Sequence, residues 1–180
     1  GCLRQTRDGY LWIGTWAGLV RFDGARFAVF NNYNTPELVS DAISDLAEDT
    51  DGTLWMATKD GLVGYGPGGF LRFSTEAGLP DPHISAVAAS HGGRVWVRSG
   101  SSFFKARGGS LTKQIELGEK LDGPTVMMAE GSEGSIHLST PSAWFVIAAD
   151  GSSFRTNRLR PDGEPSWQAT CLLPSGKMLA

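Results

Sequence analysis

The stretch DGYLWIGTWAGL, residues 8–19, returns almost unchanged as DGTLWMATKDGL at residues 51–62. Both copies place a tryptophan three residues after a glycine, and both end on a Gly-Leu pair. Such an unusual stretch recurs either because one site is used twice or because one structural unit is built twice. The spacing of the further copies decides between these explanations.

The glycine of this repeat recurs along the chain at a nearly constant period. It stands at Gly9, Gly52, Gly93, Gly134 and Gly176, with steps of 43, 41, 41 and 42 residues. The tryptophan position is filled in turn by Trp12, Trp55, Trp96, His137 and Leu179. A period of about 40 residues is what one four-stranded β-propeller blade needs. We therefore predict an all-β fold of about four antiparallel blades in an incomplete ring, with units at 1–35, 36–77, 78–117, 118–160 and, in part, 161–180.

The composition agrees with this fold and excludes some classes of partner. The 180 residues include 24 glycines, six tryptophans and nine phenylalanines, a mixture typical of many short strands. The net charge of -3 provides no broad cationic surface for nucleic acid or anionic lipid. The longest apolar run, residues 143–149, is too short to cross a bilayer. We expect no nucleic-acid partner and no membrane contact.

The metal-binding residue types show no site pattern. Cys2 and Cys171 lie almost a full chain apart without CxxC spacing, so we expect buried thiols and neither a zinc site nor a disulfide framework. The histidines His83, His91 and His137 have no carboxylate or cysteine companions at ligand spacing. The sequence predicts no metal and no cofactor.

One segment favours a helix when it is taken alone. Residues 37–47 read ELVSDAISDLA, with apolar residues at helical spacing. The counterpart one period later is LPDPHISAVAA, in which Pro80 and Pro82 exclude the first turns of a helix. Because a repeated unit has one structure, we predict a strand for both, each the innermost strand of its blade.

The repeated tryptophans are predicted to be core residues. Neighbouring blades pack face to face, and a large aromatic ring fills the gap between them, contributing about 2 to 3 kcal/mol by burial. A residue that packing requires in every blade cannot specify one ligand. The repeated stretch is therefore architectural, and function is sought in the residues that vary.

Residues 8–88 resemble the repeat of two-component regulator propellers. The matching positions are Asp49, Gly52, Leu54, Trp55, Thr58, Gly61, Leu62, Gly78, Leu79 and Pro80, while residues 99–102 and His137 depart from the pattern. Blades of that family form the extracytoplasmic sensor part of bacterial membrane receptors, commonly hybrid histidine kinases and sometimes diguanylate cyclases. The resemblance implies a non-catalytic sensor of two-component signalling on the periplasmic or extracellular side. It also implies the remaining blades of the parent propeller and a second copy of the receptor as partners.

Antiparallel connectivity divides the loops between two faces of the propeller. One face carries stereotyped Asp-Gly and Gly-Gly turns, whereas the turns between second and third strands and the connections between blades share the other, irregular face. Variable loops on a rigid scaffold are where recognition usually occurs. We predict that this face binds a polar small molecule or a carbohydrate. The candidate residues are Trp16, Asn32, Tyr33, Asn34, Asp41, Lys59, Asp60, Asp81 and His83.

Several alternatives stay open at this point. Trp16 either stacks on a ligand or covers the adjacent blade, and His83 either contacts ligand or is a loop residue with satisfied hydrogen bonds. A propeller glycosidase or lyase would need an acid and a base facing one cavity, for which Asp41 and Asp81 align only approximately. An interaction scaffold for protein partners is the third possibility.

Overall fold

The structure is a computed structural model. It describes residues 1–90, 92–117, 121, 125–141 and 143–148, together with the backbone of a few later residues, 152–157, 171–172 and 178–179. His91, Gly176 and most of the partial unit at 161–180 lie outside the described residues. The same is true of the Cys171 side chain.

Four antiparallel sheets of four strands each follow one another along the described chain. The first comprises β1 (Cys2–Gln5), β2 (Leu11–Thr15), β3 (Gly18–Phe22) and β4 (Phe27–Phe30). The second comprises β5 (Ile43–Glu48), β6 (Leu54–Thr58), β7 (Gly61–Gly66) and β8 (Gly69–Phe73). The third comprises β9 (Ile84–Ala89), β10 (Val95–Ser99), β11 (Ser102–Arg107) and β12 (Ser110–Glu116). The fourth comprises β13 (Met127–Glu130), β14 (Ile136–Ser139), β15 (Ala143–Ile147) and β16 (Ser153–Asn157).

A final pair, β17 (Cys171–Leu172) and β18 (Met178–Leu179), forms a separate two-stranded sheet. In the described part of the chain the helical content is limited to two short 3-10 turns, Thr75–Ala77 and Ser132–Gly134. Neither is long and apolar enough to cross a membrane. The all-β prediction is confirmed.

The first strands of the four sheets lie side by side and face a common interior. β1 contacts β5, β5 contacts β9, and β9 contacts β13. Polar bonds link these strands between sheets, since the Ser44 hydroxyl donates to the Ile84 carbonyl oxygen at 2.9 Å and the Val87 amide donates to Asp45 at 3.0 Å. The arrangement is that of propeller blades, with the first strand of each sheet innermost.

Residues 37–47 are not a helix, and the strand predicted there is shorter than expected. β5 begins only at Ile43, so the strand prediction was wrong for residues 37–42. That connection is instead held by its own turn and by the first sheet: the Leu38 amide donates to the Thr35 carbonyl, and the Asp41 carbonyl accepts from the Gly18 amide at 2.9 Å. The Leu38 side chain is fully buried, which explains why an apolar residue stands in a loop.

The three repeated tryptophans lie between sheets, as the sequence predicts. Trp12, Trp55 and Trp96 are at most 4% exposed. Each belongs to a different cluster of buried apolar side chains, one cluster for each contact between neighbouring sheets. The blades are therefore held together by hydrophobic packing around one indole per interface.

Glycine is required at the start of the third strand for a steric reason. Gly18 and Gly61 have φ values of 120° and 144°, which L side chains rarely adopt. A Cβ atom would lie 2.3 Å from the Phe30 carbonyl oxygen at Gly18 and 2.6 Å from the Phe73 carbonyl oxygen at Gly61. The outer strand thus packs against the turn at a distance that only glycine permits.

Cys2 is a free, half-buried thiol on the innermost strand of the first sheet. Burial raises the pKa of this thiol to about 11, and the nearby Asp45 carboxylate adds to the shift. Such a thiol is almost entirely protonated at neutral pH, so it is a packing residue and a poor nucleophile.

Candidate functional site

The irregular face is formed by turns and connections that touch each other. The turns after β2, β6 and β10 place Trp16, Lys59 and Gly100 at the same end of their sheets. The Lys59 amide donates to the Ala42 carbonyl oxygen at 3.2 Å, which ties a turn of the second sheet to the connection that enters it. Hydroxyls brace the turns from within, because Thr58 Oγ1 donates to the Gly61 carbonyl oxygen at 2.7 Å. The loops of this face are therefore held by the scaffold.

A cavity of about 630 Å³ opens on this face near the innermost strands. We call it the central pocket. It takes residues from the first three sheets and from the connection to the fourth. They are Gly1, Trp16, Ala42, Ile43, Ser44, Lys59, Asp60, Pro82, His83, Ser85 and Thr125. A volume of this size lies in the range of small-molecule sites, which are about 300–1,000 Å³.

A second cavity of about 610 Å³ adjoins the first. This lateral pocket is lined by Pro80, Asp81, His83, Ser85, Arg98, Gly100, Ser101, Ser102, Glu116 and Leu121. The two pockets share His83 and Ser85. A ligand longer than one pocket would therefore meet the same two side chains as it passed from one to the other.

Four of the residues predicted from the sequence lie together in the central pocket. They are Trp16, Lys59, Asp60 and His83. The Trp16 side chain is 84% exposed, so its ring is a free aromatic surface on the pocket wall and covers no blade among those that the structure describes. Aromatic rings with a few polar groups around them are the usual composition of a site for a polar ligand.

Asp81 and His83 form a local turn between the two pockets. The Asp81 carboxylate accepts from the His83 amide at 2.9 Å, and the Asp81 amide donates to Ser99 Oγ at 3.1 Å. The His83 imidazole makes no hydrogen bond with the described residues, and the residue is exposed. Its ring nitrogens are therefore open to a ligand in either pocket.

The other predicted residues lie outside both pockets. Asp41 accepts from the Asn32 amide at 2.6 Å, and the Asn34 side chain bonds to the Asn31 amide and the Val29 carbonyl, so these side chains shape the connection after β4. Tyr33 projects from that connection and is 94% exposed. Loop composition alone does not separate these residues from the pocket, because it does not show which polar side chains form hydrogen bonds within the loop itself.

Serine and threonine residues at the base of the pockets were missed. Ser44 and Ser85 sit where the pairing of β5 with β6 and of β9 with β10 shifts register, so each belongs to a β-bulge on an innermost strand. Ser85 Oγ accepts from Thr125 Oγ1 at 3.3 Å. Bulges re-aim side chains next to functional sites, and their 41-residue spacing was the signal that could have shown these two serines.

Arg98 is a second missed residue. It is 3% exposed yet lines the lateral pocket, and burial lowers the pKa of its guanidinium by desolvation. Among the described residues, no group of three or more His, Cys, Asp or Glu side chains is placed to hold a metal ion. The chemistry of this face is that of hydroxyls, one imidazole, a few charges and an exposed indole.

Comparisons with known proteins agree with the fold. Residues 1–17 and 37–60 match the family model described as the two component regulator propeller. No curated protein matches the sequence. Among solved structures, the extracellular domain of a putative hybrid two component system from B. thetaiotaomicron has a TM-score of 0.70 at 19% identity, covering 86% of this chain and 22% of that chain.

Two further structures extend the comparison. A second extracellular domain of a putative hybrid two component system from B. thetaiotaomicron has a TM-score of 0.53 at 18% identity, over 90% of this chain and 29% of that chain. Virginiamycin B lyase from Staphylococcus aureus has a TM-score of 0.67 at 13% identity, over 89% of this chain and 56% of that chain. At these identities the likeness shows the propeller fold alone, and this chain spans only part of each of these proteins.

Proposed function

We propose that this chain, which carries two-component regulator propeller repeats, is a ligand-sensing part of a bacterial signal-transduction receptor. It binds a polar small molecule or a saccharide in the central pocket and acts on the extracytoplasmic side of a membrane. The family match and the extracellular domains of similar fold support the class of protein. The central pocket supports the proposal that the chain acts by binding a ligand.

The observation that carries the proposal is that residues of three different sheets line the central pocket. Trp16 comes from the first sheet, Lys59 and Asp60 from the second, and Ser85 from the third. A ligand that contacts all of them binds best in one relative arrangement of the blades. It can therefore shift an equilibrium between arrangements, which is the physical requirement for a sensor.

The composition of the pocket favours a hydroxylated ligand. The exposed indole of Trp16 offers an apolar face for a sugar ring, while Lys59, Asp60 and the open imidazole of His83 offer donors and acceptors around it. The side chains that line the pocket include one cation, Lys59, and one anion, Asp60, so their charges balance.

Calorimetric titration with a panel of neutral mono- and disaccharides tests this function. We expect one or more of them to bind, and Trp16→Ala to weaken that binding about tenfold, or ~1.4 kcal/mol, through loss of ring stacking. Tyr33→Ala is the matched control, because Tyr33 is also a highly exposed aromatic residue and lies outside the pocket. Equal losses in both variants, or no binding by any saccharide, would contradict the central pocket as the site.

An enzyme is the second candidate, since a lyase shares the fold. His83 and Asp81 lie at one pocket edge and provide groups that can transfer protons. The same saccharide incubations decide the matter when the products are analysed by mass spectrometry. Recovery of unchanged saccharide supports a sensor, whereas a cleaved or eliminated product that His83→Ala abolishes supports catalysis.

A further inference from the structure

Arg98 departs from the repeat at a position where the other sheets carry small side chains. Two residues after the repeated aromatic position, the second strands of the four sheets carry Gly14, Ala57, Arg98 and Ser139. At Gly14 a Cβ atom would lie 2.4 Å from Cys2 Sγ, and Ala57 is fully buried. Packing between sheets therefore does not call for a long charged side chain here.

The third sheet makes room for this arginine. The residue paired with Arg98 on the innermost strand is Ala86, whereas Cys2, Asp45 and Met127 stand at that place in the other sheets. The smallest partner thus faces the largest side chain. The two departures from the repeat compensate each other in volume, which keeps the blade packed while it accommodates a guanidinium group.

The guanidinium is held by neutral acceptors. Nε donates to the Gly100 carbonyl oxygen at 3.0 Å, Nη1 donates to Thr125 Oγ1 at 2.6 Å, and Nη2 donates to the Leu121 carbonyl oxygen at 3.2 Å. Within the described residues no carboxylate lies within ion-pair distance of Arg98. Because guanidinium has five N–H groups, each terminal nitrogen keeps one that these bonds do not use.

A buried cation without a counter-ion is costly. Buried charges in proteins are normally paired, because desolvation is otherwise uncompensated. The acidic residues of the lateral pocket are engaged elsewhere: Asp81 caps the His83 amide, and Glu116 pairs with Lys113. The site therefore holds one fixed positive charge whose partner the described part of the chain does not supply.

We propose that Arg98 recognises a carboxylate on the ligand, in the lateral pocket. The two unused N–H groups, one on each terminal nitrogen, match the two oxygens of a single carboxylate. The Ser101 and Ser102 hydroxyls line the same wall and can bond the neighbouring atoms of the ligand. A doubly charged phosphate fits less well, because Asp81 and Glu116 also line this pocket and would repel its second charge.

The inference rests on the proposed function and narrows its ligand class. Through Ser85 and His83 the lateral pocket continues into the central pocket. A saccharide whose ring lies near Trp16 could therefore extend an acidic sugar toward Arg98. Acidic saccharides thus become the preferred class among the polar ligands considered above.

Titration of the 180-residue protein with D-glucuronate and D-glucose tests the inference, since these sugars differ by a carboxylate at one carbon. At constant ionic strength we expect glucuronate to bind at least tenfold more tightly, because charge-assisted bonds are the stronger ones. Arg98→Gln should remove that preference, and Arg98→Lys should retain part of it. Arg107→Gln is the control, because Arg107 is an exposed arginine of the third sheet that lines neither pocket and pairs with Asp51 of the second repeat unit.

Equal affinity for the two sugars in the wild type, no glucuronate binding at all, or an unchanged preference in Arg98→Gln would each overturn the inference. Inorganic phosphate that competes with glucuronate and binds more tightly would overturn the carboxylate assignment. If Arg98→Gln fails to fold, the wild-type arginine Nε–H resonances give the answer by NMR, because only the Arg98 signal should shift on glucuronate addition. Neutral saccharide binding that Trp16→Ala weakens, with no carboxylate preference, would leave the proposed function intact and remove only this inference.

Discussion

At the scale of single residues, the tryptophans need more than burial. An indole N–H that is buried must find an acceptor. Trp12 Nε1 donates to Thr6 Oγ1 at 3.1 Å, and Trp55 Nε1 donates to Asp49 Oδ2 at 2.9 Å. Both acceptors stand six residues before the tryptophan. The repeat therefore encodes a ring and its polar partner together.

In the third blade, the acceptor for the buried indole N–H comes from a different place. Trp96 Nε1 donates at 2.9 Å to Glu130 Oε1, which comes from the next sheet, and Ser90 shares that carboxylate. In the fourth blade His137 replaces the tryptophan, and its buried Nδ1 has no hydrogen-bond partner among the described residues. The loss of the aromatic residue along the repeat thus coincides with the loss of its acceptor, since position 131 is Gly131.

Asp49 is the residue at which this arrangement can be tested. Its Oδ1 accepts from the Asp51 and Thr53 amides, and its Oδ2 accepts from Trp55 Nε1. In Asp49→Asn, either orientation of the side-chain amide turns an NH₂ group toward another donor. We expect the free energy of unfolding to fall by about 1–3 kcal/mol, the cost of an unsatisfied buried group.

Urea denaturation followed by tryptophan fluorescence measures the effect. Asp60→Asn is the matched control, because Asp60 is exposed and makes no such bonds among the described residues. The control should leave stability within about 0.5 kcal/mol of the wild type. A wild-type midpoint in Asp49→Asn would show that this carboxylate does not hold the turn.

At the scale of the elements, the period and the strand pattern were predictable, and the contacts between elements were not. Repeated Trp and Gly positions give strand order because each blade is one local meander of short turns. The bulges at Ser44 and Ser85 and the path of the 37–42 connection depend on neighbouring sheets. Arg98 was likewise invisible as a site residue, because its burial follows from the small partner Ala86 across the sheet.

The connections between blades contain a further repeated element. Leu38, Leu79 and Leu121 recur at steps of 41 and 42 residues, and all three are at most 5% exposed. Each comes from a connection that precedes an innermost strand. Apolar side chains in surface loops are otherwise unexpected, so these leucines anchor the irregular face to the core and keep its pockets in shape.

Leu38→Ala tests this anchoring role. We expect the free energy of unfolding to fall by about 2–5 kcal/mol, the usual result of truncating a fully buried leucine. Val39→Ala is the matched control, because Val39 is the next residue and is 36% exposed; it should change stability far less. Thermal unfolding of the two variants side by side measures the difference, and equal effects would mean that Leu38 contributes only ordinary loop packing.

At the scale of the whole molecule, the first sheet has an uncovered face. Leu46, Val87 and Met128 occupy equivalent positions on the innermost strands of the other sheets and are 3%, 3% and 8% exposed. Their counterpart on β1, Leu3, is 66% exposed. The position is apolar in every sheet because a neighbouring blade normally covers it, and repeat proteins expose such surfaces wherever a neighbour is missing.

We therefore expect the 180-residue chain to self-associate as its concentration rises, with the face around Leu3 buried between molecules. Sedimentation velocity over a range of concentrations measures this. Leu3→Glu should hold the protein monomeric, because an exposed apolar contact is replaced by a solvated charge, and it should leave the unfolding midpoint unchanged, because Leu3 is already largely in water. Val29→Glu, at a 51% exposed residue on the outer strand β4, should leave the association as it is. Two outcomes would contradict this prediction: association that persists in Leu3→Glu, or a wild-type chain that stays monomeric at every concentration. Either would mean that the face around Leu3 is stable in water and that the apolar residue at this position is not there to pack against a neighbouring blade.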